Sequence, residues 1–108
     1  MSNYHEEAYN KITSTEVVTE EHQAEWTHEL LGGAAAFGAM AMYNKKQEEE
    51  GTPVDHAMAK NLLAGLAGAA VDRLVETKGL DWFDRQKAKK HAEEEAEKLY
   101  TQQTGYEF

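Results

Sequence analysis

Apolar positions in this chain gather in long stretches where Ala and Leu recur at helical spacing among Glu, Lys and Gln, punctuated at Gly51-Thr52-Pro53 and at Gly79. The pattern predicts an almost wholly helical chain. A first helix opens with Thr19 as N-cap, carries Glu20 and Glu21 where carboxylates favour the positive end of the helix dipole, and runs to Glu50. Gly51 stops it by taking the left-handed conformation of a helix end. Thr52 then caps a second helix over 53 to 78, with the only proline, Pro53, at its first position and Asp55 as the reciprocal acceptor of a capping box. Gly79 ends that helix, and Asp81 followed by Asp84 marks the start of a third over 82 to 103.

Short connections force sequential helices antiparallel. The expected fold is therefore all-α: a long antiparallel helical hairpin plus a third helix folded back along it, a small helical bundle expected to be dimeric. Residues 1–18 hold Tyr4, Tyr9, Ile12 and Val17-Val18, but also Thr13-Ser14-Thr15, and read as a flexible N-terminal arm docking at most by a short helical turn. Residues 19–104 form the single helical domain, and 105–108 a tail.

Composition complicates this picture. Leu, Ile, Val and Phe make up only 17 of 108 residues, below the roughly 20% under which a highly charged chain begins to look disordered. The net charge of −9, from 20 acidic and 11 basic side chains, would repel a phosphate backbone. The basic cluster Arg85, Lys87, Lys89 and Lys90 is short and balanced by the acidic run from Glu93 to Glu97, so no nucleic-acid partner is expected. Absence of Cys excludes disulfides, thiolate metal sites and a cysteine nucleophile. The uncharged run Leu30 to Tyr43 is 14 residues long, where a membrane span needs about 20. The opening MSNYHEEAYN is acidic where a leader would be basic and then apolar, and a cytoplasmic location is expected.

The missing large residues are replaced in a definite pattern. Leu30-Leu31-Gly32-Gly33-Ala34-Ala35 is echoed 32 residues later by Leu62-Leu63-Ala64-Gly65-Leu66-Ala67. Small residues four apart, Gly32/Ala36 and Ala64/Gly68, with Gly33 and Gly65 beside them, let helix backbones approach closely. Each helical glycine costs up to about 1 kcal/mol against Ala, so several together imply compensation by tight packing. Both an intrachain contact within the hairpin and a dimer interface fit, and a homo-oligomer is the expected assembly.

The segments His28-Glu29-Leu30-Leu31-Gly32-Gly33-Ala34-Ala35, Gly51-Thr52-Pro53-Val54-Asp55-His56-Ala57, Leu63-Ala64-Gly65-Leu66-Ala67-Gly68 with Val71-Asp72, and Glu76-Thr77-Lys78-Gly79-Leu80-Asp81 resemble the fungal CipC-like (concanamycin-induced protein C) proteins. The resemblance covers about Glu20 to Tyr100. It implies an intracellular protein of a fungal stress or antibiotic response, and brings no catalytic residues. Pro53-x-x-His56-Ala57 after an Ala-rich helix is also similar, more faintly, to the plant ASR stress proteins. Their clustered histidines and lysine-rich tracts are missing here, so zinc or DNA binding does not transfer.

Placing residue i of the first helix level with about 104 − i of the second sets His22, Glu25, Trp26, His28 and Glu29 beside Glu76, Lys78, Asp81 and Trp82. Glu25-x-x-His28 has the spacing of carboxylate-bridged metal sites, which need the motif on two helices. It occurs here once, and carboxylates at such spacing from a His are common on acidic helices, so an aromatic and polar cap closing the bundle end is the favoured reading. His56 lies roughly 40 Å from His22 by the helical rise. It would join such a site only across an antiparallel dimer, and reads as a helix-terminal or interfacial histidine. His91 reads as solvated. Met40, Met42, Met58 and Phe37 read as core filling rather than the lining of a lipid or cofactor pocket. Ser occurs only at 2 and 14, no phosphate-cradling loop is present, and the carboxylates lack the burial that separates their pKa values. The expectation is a non-enzymatic, self-associating protein without a cofactor. A metal or haem site at His22, Glu25, His28 and His56 is the alternative.

Overall fold

In a computed structural model of the protein, which describes residues 3–15, 17–51, 56–79 and 84–106 and, of residues 3 and 22–24, the backbone alone, the chain is all-α. Its helices are α1 (Asn3–Ser14), α2 (Glu20–Glu25), α3 (His28–Glu50), α4 (His56–Lys78) and α5 (Arg85–Thr104). No strand occurs among the described residues.

The first helix expected from the sequence starts at Glu20, directly after Thr19, but does not continue unbroken to Glu50. It stops at Glu25 and restarts at His28. Thr27 is extended (φ −97°, ψ 169°), its hydroxyl accepts from Leu30 N–H at 3.0 Å, and its carbonyl accepts from Leu31 N–H. A Thr side chain that competes for its own backbone amides favours a cap over a helix interior. The restart also lets Trp26 be buried at 2% exposure. The stops fall where the sequence puts them. Gly51 and Gly79 both have positive φ, a region costly for side chains bearing Cβ, and Gly51 N–H donates to the Gln47 carbonyl at 2.9 Å.

The capping box of Thr52, Pro53 and Asp55 lies outside the described residues, as does Asp81. The cap of α5 is Asp84, whose carboxylate accepts from the Gln86 and Lys87 amides. The start expected near 82 is thus corrected to Arg85.

Gly32 beside His91 and Ala92, Tyr43 against Tyr100, and Asn44 bonded to Gln103 advance together along α3 and α5, so these helices run parallel. Asp72 bonded to Arg85 and His56 bonded to Tyr100 advance in opposite senses, so α4 runs antiparallel to α5 and to α3. The hairpin with a third helix folded back is present.

The flexible arm is corrected. Residues Asn3–Ser14 form a helix of 12 residues packed on α3, with Ala8, Ile12 and His5 buried. One end of α1 reaches α5, where His5 Nε2 lies 2.6 Å from Glu95 Oε1. The other reaches α4, where Lys78 Nζ donates to the Thr13 and Thr15 carbonyls. The core is built of Leu31, Leu63, Val71, Val75 and Ile12 set among alanines, including the α5 stripe Ala88, Ala92 and Ala96. Principal extents of 44 × 24 × 24 Å describe a short rod, and no described helix is long and apolar enough to cross a membrane.

Candidate functional site

The small residues of α3 and α4, echoed in sequence, meet different fates. A Cβ on Gly32 would sit 2.7 Å from His91 Cβ and 3.2 Å from the Ala92 amide nitrogen, so this glycine is what lets α3 and α5 close to backbone contact. A Cβ on Gly33 would meet the Tyr4 ring at 3.0 Å, and Ala36 is fully buried. The α3 copy is thus consumed within the chain, and its partners are α5 and α1 as well as the hairpin neighbour. On α4, Ala64 and Gly68 are half-buried, Gly68 lying against the Lys89 stem, whereas Gly65 is exposed with open space around it.

Between α1, α3 and α4 lies a groove of about 620 Å³, within the usual range for small-molecule sites. Its floor is buried Ala34, Ala35, Ala39 and Leu74. Half-buried Gly38, Leu66 and Ala70 form the walls with Tyr9 of α1, and the rim carries exposed Met42, Lys45, Ala69, Arg73 and Thr77. Met42, expected to fill the core, is instead 44% exposed at this rim, while Met40 is buried as expected. Lys78 closes one end and is engaged by the α1 carbonyls.

The histidines are spread out. His28 lines a polar cleft of about 660 Å³ together with Glu29, Lys87, Lys90, His91 and Glu94. His91 is half-buried rather than solvated, with Nε2 at 4.0 Å from Glu29 and Nδ1 at 3.7 Å from Glu94. Glu25 faces Lys11 at 3.7 Å. The His22 side chain lies outside the described residues. His56 is in the other half of the bundle, bonded through Nδ1 to Tyr100 Oη at 2.6 Å and stacked on Tyr106 at 3.6 Å. Tyr100 in turn packs on Tyr43, about 22 Å of helical rise from His28. The structure therefore separates His28 from His56 within one chain, and no group of three or more His, Cys, Asp or Glu suited to a metal occurs among the described residues.

Two ion-pair centres escaped the sequence reading. Glu95 takes His5 from α1 and Lys98 from its own helix; burial pushes its carboxyl up, but the Lys98 and His5 contacts bring it below the usual range. Asp72 is held low chiefly by the hydrogen bond from Lys89, against some desolvation, with Arg85 adding to it. Burial, then Tyr100, pushes the Tyr43 hydroxyl up to about 12. The i,i+3 and i,i+4 spacing of His5, Ala8 and Ile12 was the available signal for α1; nothing local marked Glu95 as its partner.

The family model described as "Virulence factor CipC-like" matches residues 8–103. No curated protein matches, and no solved structure does.

Proposed function

The chain belongs to the CipC-like virulence-factor family, and from that premise we propose that it is a cytoplasmic, non-enzymatic stress- and virulence-response protein that works by associating with a second copy of itself. The observation that carries the reading is the outward face of α4. Met58, Asn61, Gly65 and Ala69 are exposed at helical spacing, and Gly65 has nothing within 4 Å of where a Cβ would stand. A mid-helix glycine costs about 1 kcal/mol against alanine. At Gly32 and Gly33 close packing inside the chain accounts for that cost; at Gly65 no intrachain contact does. A second helix laid along this face gives the close approach that glycine permits. The non-enzymatic reading is supported by the two carboxyls whose pKa is displaced: Asp72 and Glu95 are bound in ion pairs that tie helices together.

Sedimentation equilibrium and light scattering test this. The native chain is expected to be a dimer, and Gly65→Glu, which adds bulk and like charge across the seam, to be monomeric with unchanged helix content. A native chain that remains monomeric at high micromolar concentration overturns the reading.

A further inference from the structure

The groove between α1, α3 and α4 differs from the rest of the molecule in the sign of its charge. The chain carries 20 acidic residues against 11 basic ones, yet among the described residues no Asp or Glu lines this groove, and its charged lining is Lys45, Arg73 and Lys78. Lys78 is occupied by the Thr13 and Thr15 carbonyls. Lys45 and Arg73 form no ion pair among the described residues, whereas Lys11, Lys46, Arg85, Lys89 and Lys98 all face carboxylates. An apolar trough therefore has a cation at either end, Lys45 and Arg73, and among the described residues neither is paired with a carboxylate. The lining on α3, from Ala34 to Lys45, extends about 16 Å by the helical rise, long and narrow rather than round. Its floor of Ala and Leu offers no hydrogen-bonding side chain.

We propose that this groove binds a single-chain amphiphile with an anionic head, a long-chain fatty carboxylate. The alkyl chain lies along Ala34, Ala35, Ala39 and Leu74, displacing water from apolar surface. The carboxylate meets Arg73, whose planar guanidinium presents paired donors matched to its two oxygens; Lys45 stands at the opposite end of the groove, since α3 and α4 run antiparallel. Tyr9, standing between Gly38 and the groove, shapes the wall. The groove lies within one chain, but its rim residue Ala69 is also on the α4 face proposed above for self-association, so binding by the monomeric Gly65→Glu variant separates the two proposals.

Titration of the delipidated full chain with dansyl-undecanoate, followed by displacement with palmitate or hexadecanol, tests the proposal on both the native protein and Gly65→Glu. Saturable binding of one probe per chain is expected in each, with palmitate displacing it at least tenfold better than the uncharged alcohol. Arg73→Glu, at an exposed position, is expected to weaken palmitate at least tenfold and leave hexadecanol unchanged, whereas Lys45→Glu at the other end weakens palmitate less. Ala41→Trp, which fills the rim from the exposed side of α3, abolishes both while melting temperature and helix content stay the same. Lack of saturable binding, equal displacement by acid and alcohol, or indifference to charge reversal would overturn it. So would adsorption to phosphatidylcholine vesicles without uptake of the monomeric probe, since that describes a membrane-facing surface and not a groove.

Discussion

Two glycines, one from each of the echoed segments, do opposite work. At Gly32 the added methyl of alanine would press on His91 Cβ and on the backbone of α5. Backbone does not yield as a flexible side chain does, so helix separation must grow, at a cost of about 1–3 kcal/mol that outweighs the gain in helix propensity. At Gly65 the methyl meets nothing, and the propensity gain of about 1 kcal/mol stands alone. Gly32→Ala is therefore expected to lower the urea midpoint and Gly65→Ala to raise it, each measured at a protein concentration below the onset of association. Both changes in the same direction would refute the assignment of Gly32 to the α3/α5 contact. The same residue-level geometry explains why sequence spacing grouped these glycines: a Leu pair followed by small residues is visible in one dimension, but which helix lies across it is not.

Among the elements, α1 is the one whose status changed most. Its twelve residues bury Ala8 and Ile12 on α3 and clamp to α5 through His5–Glu95 and to α4 through Lys78. Ile12 is 0% exposed, and Ile12→Ala is expected to cost about 2–5 kcal/mol in urea unfolding, with faster amide exchange over residues 3–14. An undocked arm would show neither effect. Residues 1–18 alone gave little reason to expect this. Thr13-Ser14-Thr15 argues against a helix by propensity, whereas those hydroxyls in fact bond back to carbonyls at the end of α1, Thr13 to Tyr9 and Thr15 to Lys11. The break between α2 and α3 was more legible, since Thr27 with Glu29 two residues on is a cap signal. The stronger cap at Thr19 and the unbroken Leu/Ala pattern beyond it masked that signal.

For the molecule as a whole, an excess of nine negative charges would by itself make acidification stabilising by relieving repulsion. The ion pairs oppose this. Asp72 and Glu95 have folded-state pKa values below their ordinary ones, so the folded state binds fewer protons than the unfolded state. Their contribution is complete above the ordinary carboxylate range and is lost as pH falls through it. Stability is thus expected to drop on acidification from pH 6 into that range, and Glu95→Gln is expected to flatten part of the dependence. An identical pH profile in Glu95→Gln would remove Glu95 from this account. High salt should weaken the Asp72 cluster, which is partly exposed, more than the half-buried Glu95 centre.

Sequence by itself determined the class of the fold, the stops at Gly51 and Gly79, the antiparallel hairpin with its third helix, and the family, because helix propensity, glycine at helix ends and short connections act over a few neighbouring residues. Tertiary structure decided the rest: that α1 docks, that Gly32 meets α5, that His28 and His56 stand apart, and that Lys45 and Arg73 flank an apolar groove with no carboxylate partner among the described residues. Each of these depends on which side chains from distant segments are brought into contact. In a core made largely of alanine that choice is set by how closely backbones can approach and by a few long-range ion pairs, neither of which leaves a periodic mark on the chain.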